Sequence, residues 1–213
     1  MTRKFFADEQ VIEMNLVSDF KKLINEKLRK DYQQNFLPAS ITCLFPDRLK
    51  VTEEVEIRPR GQFRRGECDI PPIIINFKTA NSKSLKKLGR LKLVSPCGNA
   101  PYYEQLVLKE YLAYKIYNLL TAKSFRVRLV KMSYRDIKEK IKPQKMYAFF
   151  IEDVDDMAKR SNCEEIKTGS FQNVQTNRGH TTLVSLFQYL IGNTDWSIPA
   201  YKNLKPYVLK LIV

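Results

Sequence analysis

One histidine, one tryptophan and seven glycines are all that the 213 residues hold of those types, and the scarcities narrow the chemistry. A lone histidine, His180, with no GxSxG-type motif beside it, disfavours a serine or cysteine hydrolase and reads as a helix-start residue. The four cysteines, Cys43, Cys68, Cys97 and Cys163, are far apart and form no CxxC, so zinc-site spacing is absent. They read either as buried free thiols or as one or two disulfides of an exported protein, and spacing does not choose between these. No apolar run approaches the roughly 18 residues of a membrane span, and the opening MTRKFFADEQ lacks the apolar core of a signal peptide. There is no GxxxxGK[ST] loop. Asp153, Asp155 and Asp156 lack the glycine and terminal glutamate of a calcium loop and read as the acidic first turn of a helix.

Positive charge is in excess. Lys and Arg number 37 against 23 Asp and Glu, a net charge of +14 that attracts anions such as nucleotides, nucleic acid or anionic lipid. The basic residues lie in stretches, Lys21-Lys22, Arg58 to Arg65, Lys83 to Lys92 and Lys138 to Lys145, without an RNP, zinc-finger or heptad signature. Nucleic acid is therefore not the leading partner. With 44% hydrophobic residues the chain can bury a good core, and its length predicts one domain over 1–213, two-lobed at most.

Helical spacing of Leu16, Phe20, Leu23 and Ile24 predicts an amphipathic helix over 10–33. Strand patterns follow at 40–45, 52–61, 71–78 and 90–94, and Pro101 opens a long helix to about Leu120. Strands are predicted again at 125–134 and 145–153, then a short helix and a polar loop over 161–178. Leu183, Leu186, Phe187, Leu190 and Ile191 form the stripe of a buried helix, capped by Thr181 or Thr182 and stopped by Gly192. A closing strand, PYVLKLIV, ends the chain. The order is that of an α+β protein.

Three groupings could carry chemistry. In the strand 90–94, alternation sets Lys92 opposite Leu91 and Leu93, facing a cleft or solvent. On the long helix, Glu110 shares a stripe with Leu106, Val107, Ala113, Tyr114 and Tyr117, where a carboxylate needs a cation; Lys92 is the natural partner, and Glu104 the competing acid. In the second grouping, Gly192-Asn193-Thr194-Asp195-Trp196, with Asn203 and Lys205 beyond, could orient a hydroxyl nucleophile and hold Mg²⁺, or could be an Asx-turn. The third, Arg60-Gly61-Gln62-Phe63-Arg64-Arg65-Gly66, offers guanidinium forks and glycine backbone to phosphates, or is a basic hairpin tip.

Taken in order, RPRGQFRR (58–65), IPPIIINFK (70–78), LKLVSPC (91–97), LKEYLAYKIYNLLTAKSFRVRLVKMSY (108–134), AFFIEDVDDMAKR (148–160) and FQYLIGNTDW (187–196) resemble the CotH-like, spore-coat type of atypical protein kinase, most of all its bacterial exported members. The resemblance runs from about residue 35 to the end. It implies a two-lobed protein-kinase-like fold, with an antiparallel N-lobe sheet and one long helix over about 35–152 and an incomplete helical C-lobe over about 153–213. It also implies transfer of phosphate from ATP, with Mg²⁺, to a protein substrate. Lys92 would hold the α and β phosphates, Glu110 orient Lys92, Asp195 act as catalytic acid or base, and Asn203 bind metal. Arg60, Gly61 and Arg64 would contact phosphates, and Glu152, in the hinge-like Phe150-Ile151-Glu152-Asp153, joins the cofactor-binding set. No Asp follows Asp195, so the family's second metal-binding acid is missing and the chain reads as truncated. That departure keeps open a catalytically inactive pseudokinase or protein-interaction module. Family members are often exported, and the sequence leaves the compartment open.

Overall fold

The computed structural model describes residues 2–26, 35–45, 48–61, 63–166, 172, 175–200 and 202–209. After a first helix, α1 (Thr2–Ala7), period two replaces the expected helical period: Ile12, Met14, Leu16 and Ser18 are buried and the residues between them are not. The tract is strand β1 (Ile12–Ser18), and helix is confined to α2 (Phe20–Glu26), which buries Phe20 and Leu23. Asp19, the charged residue between them, receives the Lys22 N–H on Oδ1 at 2.9 Å. The expected helix over 10–33 is thus corrected to a strand followed by a short helix, and its last part, 27–33, lies outside the described residues.

The elements that follow are β2 (Leu37–Leu44), β3 (Lys50–Pro59), α3 (Phe63–Glu67), β4 (Ile73–Asn76), a 3-10 turn (Phe77–Thr79), α4 (Lys83–Lys86), β5 (Arg90–Val94), α5 (Pro101–Leu120), β6 (Val127–Asp136) and β7 (Gln144–Ile151). Then come α6 (Val154–Arg160), β8 (Cys163–Glu165), α7 (Arg178–Leu190) and β9 (Tyr207–Leu209). Seven strands close into a barrel in the order β1-β2-β3-β4-β5-β7-β6. Every pairing is antiparallel except the seam, where β1 runs parallel to β6 with Ile12 opposite Val130 and Ser18 opposite Asp136. The expected kinase-like pair of lobes with an open antiparallel sheet is therefore overturned by a closed, mixed barrel. The cause lies in residues 12–18: read as helix, they leave the sheet open, and as β1 they bridge β2 and β6.

By contacts the chain forms two compact units, residues 1–115 with 125–153, and 116–124 with 154–213. The first is the barrel. One face of each strand fills its interior: Met14 and Leu16, Ile41, Val55 and Ile57, Ile73 and Ile75, Leu91 and Leu93, Val130 and Met132, and Phe150. Phe150 meets Phe5 of α1 at 5.9 Å and Phe77 at 6.1 Å, edge to face. Arg128 is also buried; its Nη2 pairs with Asp8 Oδ2 at 3.2 Å and its guanidinium lies 5.9 Å from the Phe5 ring. A second apolar cluster lies under α5, where Val107, Tyr111 and Tyr114 cover Val94, Val127 and Phe149.

A buried carboxylate fixes the β4–β5 connection. Glu53 accepts the N–H groups of Asn81 and Ser82, both at 2.8 Å, and Ser82 in turn caps α4. Replacing Glu53 by alanine leaves two backbone donors without their acceptor, and is expected to cost about 1.5–3 kcal/mol in urea unfolding.

In the second unit, β8 and β9 pair antiparallel, with Glu164 opposite Val208, and Arg160 donates to the carbonyls of Ala122 at 2.7 Å and Ser124 at 2.6 Å. The cap of α7 is Asn177, whose Oδ1 receives the His180 N–H at 2.9 Å, and not Thr181 or Thr182 as expected; Gly192 stops the helix at φ 65°. Of the predicted buried stripe only Phe187 is buried, against Tyr117 at 4.7 Å, while Leu186 and Leu190 are 62% and 70% exposed. The final predicted strand is described only to Leu209. Among the described residues no helix is long and apolar enough to cross a membrane.

Candidate functional site

Alternation decides what stands outside the barrel. Because Ile57, Ile75, Leu91 and Leu93 point in, Arg58, Ile74, Lys92 and Ile151 form one outward row across β3, β4, β5 and β7. The Arg60 N–H donates to Pro72 O at 2.8 Å, continuing the β3–β4 pairing and setting Arg60 on the same outer face as Arg58. Phe36, just before β2, is flanked by the Arg58 and Arg90 guanidiniums, each 5.3 Å from the ring centroid. The outer face of β3 to β5 thus carries Arg58, Arg60, Arg90 and Lys92 at one end, with Glu56, bonded by Asn76 Nδ2 at 2.7 Å, and Glu54 further along β3.

Helix α5 borders this face and supplies an acid to it. Gly61, at φ 78°, turns the chain into α3, where its carbonyl receives Arg65 Nε at 3.1 Å. Arg64, one residue earlier on α3, donates Nη2 to Ser95 O at 2.6 Å, and its Nη1 lies 3.9 Å from Glu110 Oε2. Burial pushes the Glu110 carboxyl above the ordinary carboxylate range, and Arg64 and then Arg60 pull it back. For Arg60, burial first and the like charge of Arg64 second hold the guanidinium below its usual value, with Glu110 opposing. Its Nε is buried without a hydrogen-bond partner among the described residues. Tyr114 completes the group, its phenol pushed up to about 12 by burial and by Glu110. Arg64, paired with Glu110, and Arg60 offer guanidinium donors to a second anion, and phosphate oxygens match such donors in pairs.

The sequence-predicted residues divide between the two units. Arg60, Gly61, Arg64, Lys92 and Glu110 all belong to the barrel unit, and Lys92 is half-buried on its outer face. The ion pair of Glu110 corrects the expectation of Lys92 as its partner: the cation is Arg64. Glu104, the competitor, is engaged elsewhere, accepting the Tyr147 N–H and Lys131 Nζ at 3.1 Å. Glu152 is buried, and its Oε2 accepts the Arg126 N–H at 3.0 Å, which ties β7 to the start of β6. Asp195 and Asn203 come together in the second unit, on an exposed loop. Asn203 Nδ2 donates to Asp195 O and, at 3.3 Å, to its Oδ2, while Lys202 Nζ pairs with Oδ1. Asn193 Oδ1 accepts the Asp195 N–H at 3.0 Å, the Asx-turn of the alternative reading. With one carboxylate oxygen facing an ammonium and the other an amide donor, Asp195 and Asn203 do not fit Mg²⁺ as they stand, for the ion needs several oxygen donors. Among the described residues no group of three or more His, Cys, Asp or Glu stands close enough to hold a metal.

Sequence reasoning named Arg58 and Tyr114 without placing them in the site, and left open whether the cysteines are free or paired. The Arg-Pro-Arg spacing at 58 and 60 could have given Arg58, since period two sets both arginines on one strand face. Cys68 and Cys97 form a disulfide, and Cys43 and Cys163 are free and buried. Compared with family models, with curated proteins and with solved structures, the chain matches none.

Proposed function

We propose that the chain binds a nucleoside polyphosphate, ATP in the first instance, on the basic outer face of its barrel and transfers the terminal phosphoryl group to a protein. The observation that carries the binding half is the Arg64–Glu110 ion pair at 3.9 Å near Arg60, bordering the outer face that also holds Arg58 and Lys92. Paired guanidinium donors at Arg60 and Arg64 suit the oxygens of a multiply charged phosphate chain. The transfer half rests on the resemblance to the CotH-like kinases, with Asp195 as acid or base and Mg²⁺ arriving on the nucleotide. The disulfide and the exported members of that family together favour an oxidising compartment.

A second reading, a nucleotide-binding interaction module without catalysis, is favoured by one observation: both carboxylate oxygens of Asp195 are engaged, by Lys202 and by Asn203. Nucleotide affinity and γ-phosphate transfer, measured with Asp195→Ala beside the parent chain, separate the two. The enzyme reading expects affinity within about twofold of the parent and a transfer rate lower by about 100- to 10,000-fold. Transfer that survives Asp195→Ala sinks the assigned role. Nucleotide binding with no transfer in either protein supports the module, and absence of binding rejects both readings.

A further inference from the structure

The two segments that supply the phosphate face are also the two that the disulfide joins. Cys68 follows α3 directly, and its N–H donates to Arg64 O at 3.1 Å. Cys97 stands two residues after Ser95, whose carbonyl receives Arg64 Nη2 at 2.6 Å. Between them the Asp69 N–H reaches Cys97 O at 2.9 Å. Arg64 therefore hangs on a helix of five residues whose end is bonded to the segment leaving β5, the strand of Lys92. A helix so short does not persist by itself. Without the sulfur–sulfur bond, its hold on the segment leaving β5 reduces to exchangeable hydrogen bonds, beside the Arg64–Glu110 pair to α5 at 3.9 Å.

Resting on the phosphate-binding reading above, we propose that the Cys68–Cys97 disulfide is a redox control of that site: oxidised, it holds Arg64 of α3 beside α5 in binding geometry; reduced, it lets α3 drift and polyphosphate affinity falls. A dithiol is the reductant. One thiolate attacks a cystine sulfur, breaking the S–S bond and forming a mixed disulfide, and its second thiolate then displaces the protein sulfur and closes the reductant's own disulfide. Two electrons and two protons end on Cys68 and Cys97 as thiols. Cys97 is half-buried, which gives the attacking thiolate a point of entry. The remaining cysteines are poor rivals: both are buried, and burial pushes the Cys43 thiol up to about 12. The consequence is a binding face that is slack where thiols stay reduced and set where disulfides persist.

The test titrates inorganic tripolyphosphate into the full chain, oxidised and after dithiothreitol, and follows amide hydrogen exchange over 63–68 and 95–98 in both states. Reduction is expected to weaken binding by about tenfold, the equivalent of one charge-assisted hydrogen bond. Exchange should quicken in both segments while 127–136 in the barrel stays protected. The variant Cys68→Ser/Cys97→Ser should match the reduced protein with or without dithiothreitol. Unchanged exchange on reduction overturns the proposal, and so does an affinity that ignores the redox state. An oxidised protein that binds no tripolyphosphate refutes the phosphate reading itself, and the exchange measurement then reports separately whether the disulfide governs α3.

Discussion

Alanine at both Arg60 and Arg64 is expected to raise the dissociation constant for tripolyphosphate by at least about a hundredfold, because each guanidinium bond to phosphate is worth about 1.5–3 kcal/mol and 1.4 kcal/mol is tenfold. Isothermal titration of the oxidised chain reads this directly. A control must separate a site from the mere net charge of +14. Lys138→Ala serves, since it removes one charge from the turn after β6, whose other end, Val127, lies next to the Ile151 of the Lys92 row. At about 3.3 Å per residue the length of β6 separates the two by about 30 Å, well past the ~8 Å screening length of physiological salt. The control should shift the constant by less than about twofold. Equal losses in the two variants would mean that tripolyphosphate follows bulk charge and that no site exists.

Phe150→Ala is expected to cost about 3–5 kcal/mol, a large share of the 5–15 kcal/mol that holds a typical domain together. Phe150 is fully buried in the barrel, and its ring is the one that both Phe5 and Phe77 touch, so truncation opens a cavity where α1, β7 and the 3-10 turn meet. Urea unfolding followed by far-UV circular dichroism measures the loss. Tyr189→Ala, at a ring 86% exposed, should change stability by no more than about 0.5 kcal/mol. A Phe150 variant as stable as the parent would show that the interior repacks freely, against the close fit of its rings.

Local patterns carried much of the strand and helix order. Alternation at Val55 and Ile57, and at Leu91 and Leu93, marks strands because inward positions in a half-covered sheet must be apolar. Pro101 marks the start of α5 because its missing N–H falls where no helical acceptor exists. The tract before Asp19 satisfied two periods at once: Leu16, Phe20 and Leu23 fit a helix, while Ile12, Met14 and Leu16 fit a strand. What resolved the conflict was pairing with β6, a partner so distant in sequence that it leaves no local trace. The site shows the same division. Outward placement of Lys92 follows from its neighbours, but the choice of Arg64 as the cation for Glu110 depends on how α3 returns over the end of β5. For α7 the spacing grouped Leu186, Phe187 and Leu190 correctly as apolar, yet periodicity tells which residues share a face and not how much of that face is covered.

The parallel seam between β1 and β6 sets a schedule for biosynthesis. Strand β1 leaves the ribosome well before β6 and can pair with β2 soon after, but its other edge matches only residues 130–136. At elongation rates of about 5–20 residues per second, the nascent chain carries that open edge for on the order of ten seconds. During this interval an unpaired strand bearing Met14 and Leu16 on one face is a template for intermolecular pairing. Codon-dependent pausing or chaperone occupancy between β5 and β6 should therefore change the yield of native barrel.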